Sequence, residues 1–371
     1  MANLEKPTIA VLSETIIGYG SPQVPTFATA LAEHYGVRPT VFGPYHEIGP
    51  KRELYPAIDI EIIPLKTRAY LPLGRADYTI KLAKRLNELK PDIIVAFCTF
   101  TLPALKRLKY KPKKIIYYSL ESLSNYPQRE VYLNRKLAPL FDLVIYPEFN
   151  RAALDGGKSL LLGRPVVMMY NSVHKKSCGE KVLPADKRNG RIIHPGSIAY
   201  EVTFAGYFLD ERSSRYPLDI YGILYGDPLK KAVSEMTGNV RYLGVVDEKT
   251  LAEVRRDYSW GIVTWNPDTE NGRLAAPNKL FDYISSGVPI IAAPHPQAVE
   301  LINKYKCGLV MPDWSYESFL WTIEEALKIS KSEHYKQYVD GCARALQEEV
   351  SWDDQFGKFL ATFEGIVSHP A

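Results

Sequence analysis

The feature that most limits how this chain folds is an alternation that runs twice along it. Short apolar runs recur, and the segments between them carry apolar residues at helical spacing. In the first half the runs span 8–14 (TIAVLSE), 39–44, 58–65, 91–97, 113–121, 141–147 and 165–171. An amphipathic helix is expected from about 76 to 89, between the third and fourth runs. A second series follows at 191–196 (RIIHPG), 217–222, 239–246, 259–265, 288–294 and 307–312. Strand-length apolar runs alternating with helices predict parallel sheets covered by helices, an α/β architecture. The stretch 172–190 between the two series is polar, charged and aperiodic, which marks it as a linker.

At 371 residues the chain is long enough for two separate cores. The expected division is an N-terminal domain over 1–173, a linker over 174–190 and a C-terminal domain over 191–350. A final helix over 351–371 is expected to pack back on the N-terminal domain. The N-terminus shows no secretory pattern, because Glu5 and Lys6 precede a run of only strand length. The longest mainly apolar stretch, 93–105, is too short to span a bilayer and contains Pro103. Cys98, Cys178, Cys307 and Cys342 are widely spaced, without metal-ligand spacing, and read as reduced thiols. These features point to a cytoplasmic protein.

Charge is unevenly spread. Thirteen Lys/Arg and only three Asp/Glu lie between Lys66 and Lys114, in a chain whose formal net charge is +4. Such a face suits an anionic membrane surface, placing the protein at the inner face of the membrane. No nucleic-acid motif accompanies it, so no nucleic-acid partner is expected.

In open α/β sheets, ligands bind beyond the carboxyl ends of the strands, where glycines let a backbone approach a phosphate. Gly196 and Ser197 follow one run, Gly222 ends the next, and Val246 closes a third. The stretch LAAPNKLFDYISSGVPIIA (274–292) offers more, reading as a short helix between a loop and a strand. Asn278 and Asp282 stand four apart on one face of that helix. A carboxylate at Asp282 can accept two hydrogen bonds from a vicinal diol such as a ribose. Lys279 and Arg273 supply charge for a phosphate, and Leu280, Phe281 and Ile284 face the sheet.

APNKLFDYISSGVPIIA resembles the donor-binding segment of GT-B glycosyltransferases, particularly the family 4-like group 1 enzymes. The likeness extends through NVRYLGVVDEKTLAEVRRDYSWGIVTW, HPQAVELINKYKCGLVMPD and ARALQEEVSW, so it covers about 190–355. It implies two Rossmann-like α/β/α domains facing across a cleft, with a C-terminal helical tail. It also implies transfer of a sugar from a nucleotide sugar to a hydroxyl, metal-independent and retaining, in glycan, polysaccharide or glycolipid biosynthesis. No cofactor is implied beyond the nucleotide sugar as co-substrate, and the acceptor is a carbohydrate or lipid-linked sugar. Carried over, Asp282 holds the ribose in place of the usual Glu, and Gly196 and Ser197 lie beside the diphosphate. Asn278 and Lys279 lie near its sugar end. Two departures stand out. Leu274 occupies the place where a second acidic residue is often found, and no Lys or Arg lies between Ile192 and Glu211. Arg273 and Lys279 are the expected substitutes.

The N-terminal strand ends nominate acceptor residues: Glu14, Gly18 and Gly20 after the first run, Thr99 after the fourth, Ser119 and Glu121 after the fifth. Glu121 is the first choice for a catalytic carboxylate near the acceptor hydroxyl. No metal site is expected, since Asp59 and Glu61 fall inside a strand-like run. Two other readings fit this fold, a nucleotide-sugar epimerase and a non-catalytic sugar-nucleotide-binding protein.

Overall fold

The computed structural model describes residues 6–17, 21–47, 49–50, 52–68, 71–158, 161–172 and 183–368. Each of the thirteen apolar runs forms a strand. Seven build one sheet: β1 (Ile9–Leu12), β2 (Thr40–Pro44), β3 (Asp59–Ile63), β4 (Ile93–Phe97), β5 (Lys114–Tyr118), β6 (Leu143–Tyr146) and β7 (Val166–Met168). Their order is β3-β2-β1-β4-β5-β6-β7, and every pairing is parallel. The other six are β8 (Ile192–Pro195), β9 (Leu218–Tyr221), β10 (Arg241–Tyr242), β11 (Trp260–Val263), β12 (Ile290–Ala292) and β13 (Gly308–Val310). They are also parallel, in the order β10-β9-β8-β11-β12-β13. Parallel strands need crossovers, which the intervening helices provide. The amphipathic helix expected from 76 begins earlier, at Pro72, and runs to Leu89. Proline suits a helix's first position, where its missing N–H has no intrahelical partner to lose.

The chain divides into two units, Met1–Met169 with Phe356–Ala371, and Tyr170–Gln355. Of the expected linker over 174–190, residues 174–182 lie outside the described residues. In the first unit the buried ring of Phe27 packs edge-on against Phe97, Tyr118, Phe356 and Phe359, at 4.9–6.1 Å between centroids. The helix Trp352–Ser368 supplies the last two rings.

In each sheet the chain reverses its direction of winding beside its first strand. The reversal falls between β1 and β4 in the first unit and between β8 and β11 in the second. Such switch points open a crevice at the strands' carboxyl ends. In the second unit Tyr283 fixes the helix Asn278–Ser285 over that crevice. Its hydroxyl hydrogen-bonds the carbonyls of Ile193 (3.1 Å) and Ile262 (3.3 Å), one on each strand flanking the switch. A side chain at Gly261 would meet the Tyr283 ring at 2.4 Å, so this close seating requires glycine on β11. Elsewhere on the sheet Asp219 is fully buried. Burial pushes its carboxyl up, but hydrogen bonds from Arg241, Arg191 and Tyr258 outweigh it and hold the pKa at about 2. That group ties β9 to its neighbours.

Candidate functional site

The second unit's strand ends are stripped of side chains where three strands stop. Gly196, Gly222 and Gly244 all have positive φ (112°, 125° and 80°) and follow β8, β9 and β10. A Cβ on Gly222 would lie 1.9 Å from the carbonyl oxygen of Gly196, so no other residue fits this pass of backbone against backbone. The chains are stitched by Gly196 N–H to Tyr221 O (2.9 Å) and Gly222 N–H to Gly244 O (2.8 Å). They border a cavity of about 170 Å³, lined by Gly196, Ser197, Gly222, Ile223, Val246 and Leu251 with Tyr221. Gly196, Ser197, Gly222 and Val246, nominated separately by sequence, come together there.

Lys279 stands at the switch point itself. It is buried, with Nζ 3.8 Å from where a Cβ on Gly196 would lie and 4.4 Å from the centroid of the Trp265 ring. No carboxylate lies within ion-pairing distance of it among the described residues. Burial draws its pKa down to about 7, against the opposing pull of Asp282 one turn on. His194, at the end of β8, is wholly buried and kept neutral by desolvation and by the charge of Lys279. Trp265 is positioned by His295. The main-chain N–H of Trp265 donates to Nε2 of His295 (3.1 Å), so Nδ1 carries the proton and faces Arg273 O at 3.2 Å. His295 follows β12 at the N-cap of the helix Pro296–Tyr305, and nothing in its spacing marks it as a partner of Trp265.

Asp282 is partly exposed, and its Oδ2 lies 3.4 Å from Nη2 of Arg255. Arg255 is buried at the end of the helix Glu248–Arg255 and also reaches the Asp282 carbonyl at 3.4 Å. Nothing in the spacing of the sequence singled it out. Asn278 is the first helical residue, and Pro277 holds the cap position with no side-chain hydrogen bond. Arg273 ends the short helix Glu270–Arg273 with its side chain exposed, while the main chain of Leu274 forms the helix's C-cap.

The first unit's switch point carries a larger cavity, of about 850 Å³, with Glu14, His46, Lys66, Arg75, Tyr78 and Phe100 in its lining. Glu14 follows β1, and its Oε2 accepts the Phe100 N–H at 3.2 Å. Burial raises its pKa to about 7, although the Phe100 N–H, Arg75 and Cys98 all favour the charged form. The Arg75 guanidinium lies 3.7 Å over the Phe100 ring and pairs with Glu130 at 2.9 Å. Among the nominated acceptor residues that are described, only Glu14 lines this cavity. Thr99 and Ser119 are buried. The Ser119 hydroxyl donates to the carbonyl of Glu121 (2.8 Å), and that turn leaves the Glu121 carboxylate 3.4 Å from Arg151. Gly18 and Gly20 lie outside the described residues.

Part of the basic stretch 66–114 is paired with carboxylates, among them Glu61 and Asp142 from outside it. Lys81 pairs with Asp77, Arg85 with Glu61 and Glu88, Lys113 with Asp92, and Lys114 with Asp142. Among the described residues, no group of three or more His, Cys, Asp or Glu is placed to hold a metal ion. Cys98, Cys307 and Cys342 are free, buried thiols, and Cys178 lies outside the described residues. No described helix is long and apolar enough to cross a membrane.

Residues 201–351 match the family described as glucosyltransferase 3-like, C-terminal domain. Similar solved structures extend over nearly the whole chain. Sucrose-phosphate synthase from Thermosynechococcus elongatus superposes with a TM-score of 0.75 at 12% identity, covering 98% of this chain and 100% of that one. HepE from Anabaena, in complex with UDP and glucose, gives 0.73 at 14%, covering 97% and 100%. A glycosyltransferase from Rickettsia africae gives 0.69 at 14%, covering 98% and 99%. The fold is that of the GT-B glycosyltransferases. That fold is the one the resemblance of the PNKLFDY segment implied. No curated protein is significantly similar to it in sequence.

Proposed function

We propose that this GT-B protein transfers a glycosyl group from a nucleoside-diphosphate sugar to a hydroxyl acceptor. The observation that carries the reading is Lys279, a buried amine without a carboxylate counter-ion, beside a cavity edged by glycine backbone. A buried charge needs a partner, and the diphosphate of a donor supplies one. The UDP bound in the HepE structure is a ligand of that chemistry. In this reading Gly196, Ser197, Gly222 and Val246 border the nucleotide, Asp282 receives the ribose hydroxyls, and Asn278 lies near the sugar. Lys279, with Arg273 from the neighbouring loop, stabilises negative charge as the diphosphate departs. These two side chains would do this without a metal ion, and retention of configuration belongs to the same proposal.

The acceptor binds in the first unit, where Glu14 accepts the hydrogen bond of the attacking hydroxyl. Glu121, paired with Arg151, shapes the adjoining turn with Thr99 and Ser119, and Gly18 and Gly20 belong to the loop after Glu14. A carbohydrate or lipid-linked acceptor suits a cavity of this size and mixed charge. Lys66 and Arg68 at its lining are the part of the basic stretch best placed to meet an anionic membrane at its cytoplasmic face. The test is nucleotide release from a panel of UDP-, GDP-, ADP- and dTDP-sugars, with and without lipid-linked and free sugar acceptors. Acceptor-dependent release, with a glycosylated product of retained configuration and activity that survives EDTA, is the expected result. Donor binding without turnover on any acceptor would sink the transferase reading.

A further inference from the structure

Lys279 meets a donor in an unusual electrostatic state. Its surroundings are a neutral imidazole (His194 on β8), an indole face (Trp265 after β11) and glycine backbone (Gly196). The one acidic group bearing on it, Asp282 of its own helix, is itself engaged by Arg255 from the helix Glu248–Arg255. An ammonium in such surroundings has lost water and gained little in return. A diphosphate arriving beside Gly196 changes that balance, because it brings the missing counter-charge. Resting on the donor reading above, we infer that Lys279 is a neutral amine in much of the ligand-free protein and takes up one proton from solvent as the diphosphate binds. The site then selects its donor by charge. A nucleoside-diphosphate sugar recruits the proton, whereas a neutral nucleoside cannot.

This role differs from that of a permanently charged arginine. The amine's pKa near 7 leaves it largely deprotonated at about pH 8, and pairing with a diphosphate restores the proton. By linkage, apparent donor affinity falls about fivefold between pH 7 and 8 and approaches tenfold per unit above that. His194 is too strongly held neutral to be the source of the proton change.

The experiment is titration calorimetry of the full chain with UDP-glucose, whose diphosphate stays fully ionised across the range, and with uridine as the neutral control. Measurements at about pH 6 and pH 8, in buffers of different ionisation enthalpy, count protons taken up. The expected result is close to one proton at pH 8, little at pH 6, and none in Lys279→Arg, which still binds with flat pH dependence. His194→Gln is expected to keep the uptake. A buffer-independent enthalpy at pH 8 in a protein that binds UDP-glucose overturns the inference and leaves the donor reading standing. So does uptake that persists in Lys279→Arg or vanishes in His194→Gln. No binding of UDP-, GDP-, ADP- or dTDP-sugars at either pH overturns the donor reading instead, and the inference with it. Thermal unfolding of each variant separates lost binding from lost fold.

Discussion

The two units apply one physical cause to opposite charges. At the switch point of the second unit, burial draws Lys279 down to about 7. At that of the first, burial raises Glu14 to about 7. Each residue follows the same topological reversal, β8 to β11 in one sheet and β1 to β4 in the other. Desolvation disfavours whichever form is charged, so a base and an acid converge on the same pKa from opposite sides. The difference lies in what each site lacks. Lys279 lacks a counter-anion, and it stands beside Gly196 at the edge of a small cavity. Glu14 lies in a wide cavity that also holds the cations Arg75 and Lys66. Topology places both buried groups at the switch points, and burial sets how each is charged.

The sharpest way to break this comparison is Lys279→Met, which keeps the side chain's volume and removes its charge. Donor kcat/KM is expected to drop by about 10²–10³, the range seen when one group aimed at developing charge is lost. A steady-state assay with a varied nucleotide sugar checks it, and an unchanged value removes Lys279 from the site. Glu14→Gln is the counterpart, with an expected loss in kcat of about 10–10² and unchanged donor KM. Equal damage to donor KM in both variants would erase the division of labour. Asp282→Asn keeps the shape and weakens the acceptor for ribose hydroxyls, so donor KM should rise about tenfold with kcat little altered.

The smallest effect is on stability, and the direction of its pH dependence distinguishes the two residues. Glu14's pKa is raised by folding, from 4.5 to about 7, so the native state holds that proton more tightly. Its contribution is full below 4.5 and is lost as pH rises through 7. Lys279's pKa is lowered, from 10.5 to about 7, so its penalty is full below 7 and fades as pH rises toward 10.5. Glu14→Gln should therefore raise the unfolding temperature by a few degrees, by an amount that grows from about pH 4.5 and is full above about 7, and Lys279→Met by an amount that is full below about pH 7 and fades toward 10.5. Differential scanning fluorimetry of ligand-free protein across pH 5–10 reads both; shifts of the same sign and pH range would contradict the assignment.

Much of this was legible in the residues. All thirteen strands lie within the apolar runs, because a parallel strand buried on both faces must be apolar along its length. The glycines after β8 and β9 were legible too, since a backbone pass at 1.9 Å from a Cβ position excludes every other residue. Arg255 and His295 were not. One sits in an ordinary amphipathic helix and the other in an ordinary loop, and each acts through a partner that is distant in sequence, Asp282 or Trp265. Glu121 shows the same limit from the other side. Its position after β5 resembles that of Glu14 after β1, yet the turn closed by Ser119 sends its carboxylate to Arg151.

The sequence alone determined the class of fold, the two sheets and the strand ends at which a ligand can bind, since these follow from local periodicity and from backbone that only glycine allows. Tertiary structure decided what Lys279 and Glu14 are electrostatically. A pKa depends on the water a group has lost and the charges it faces, and in PNKLFDY those are set by Gly196, His194 and Trp265, none of which is nearby in the chain.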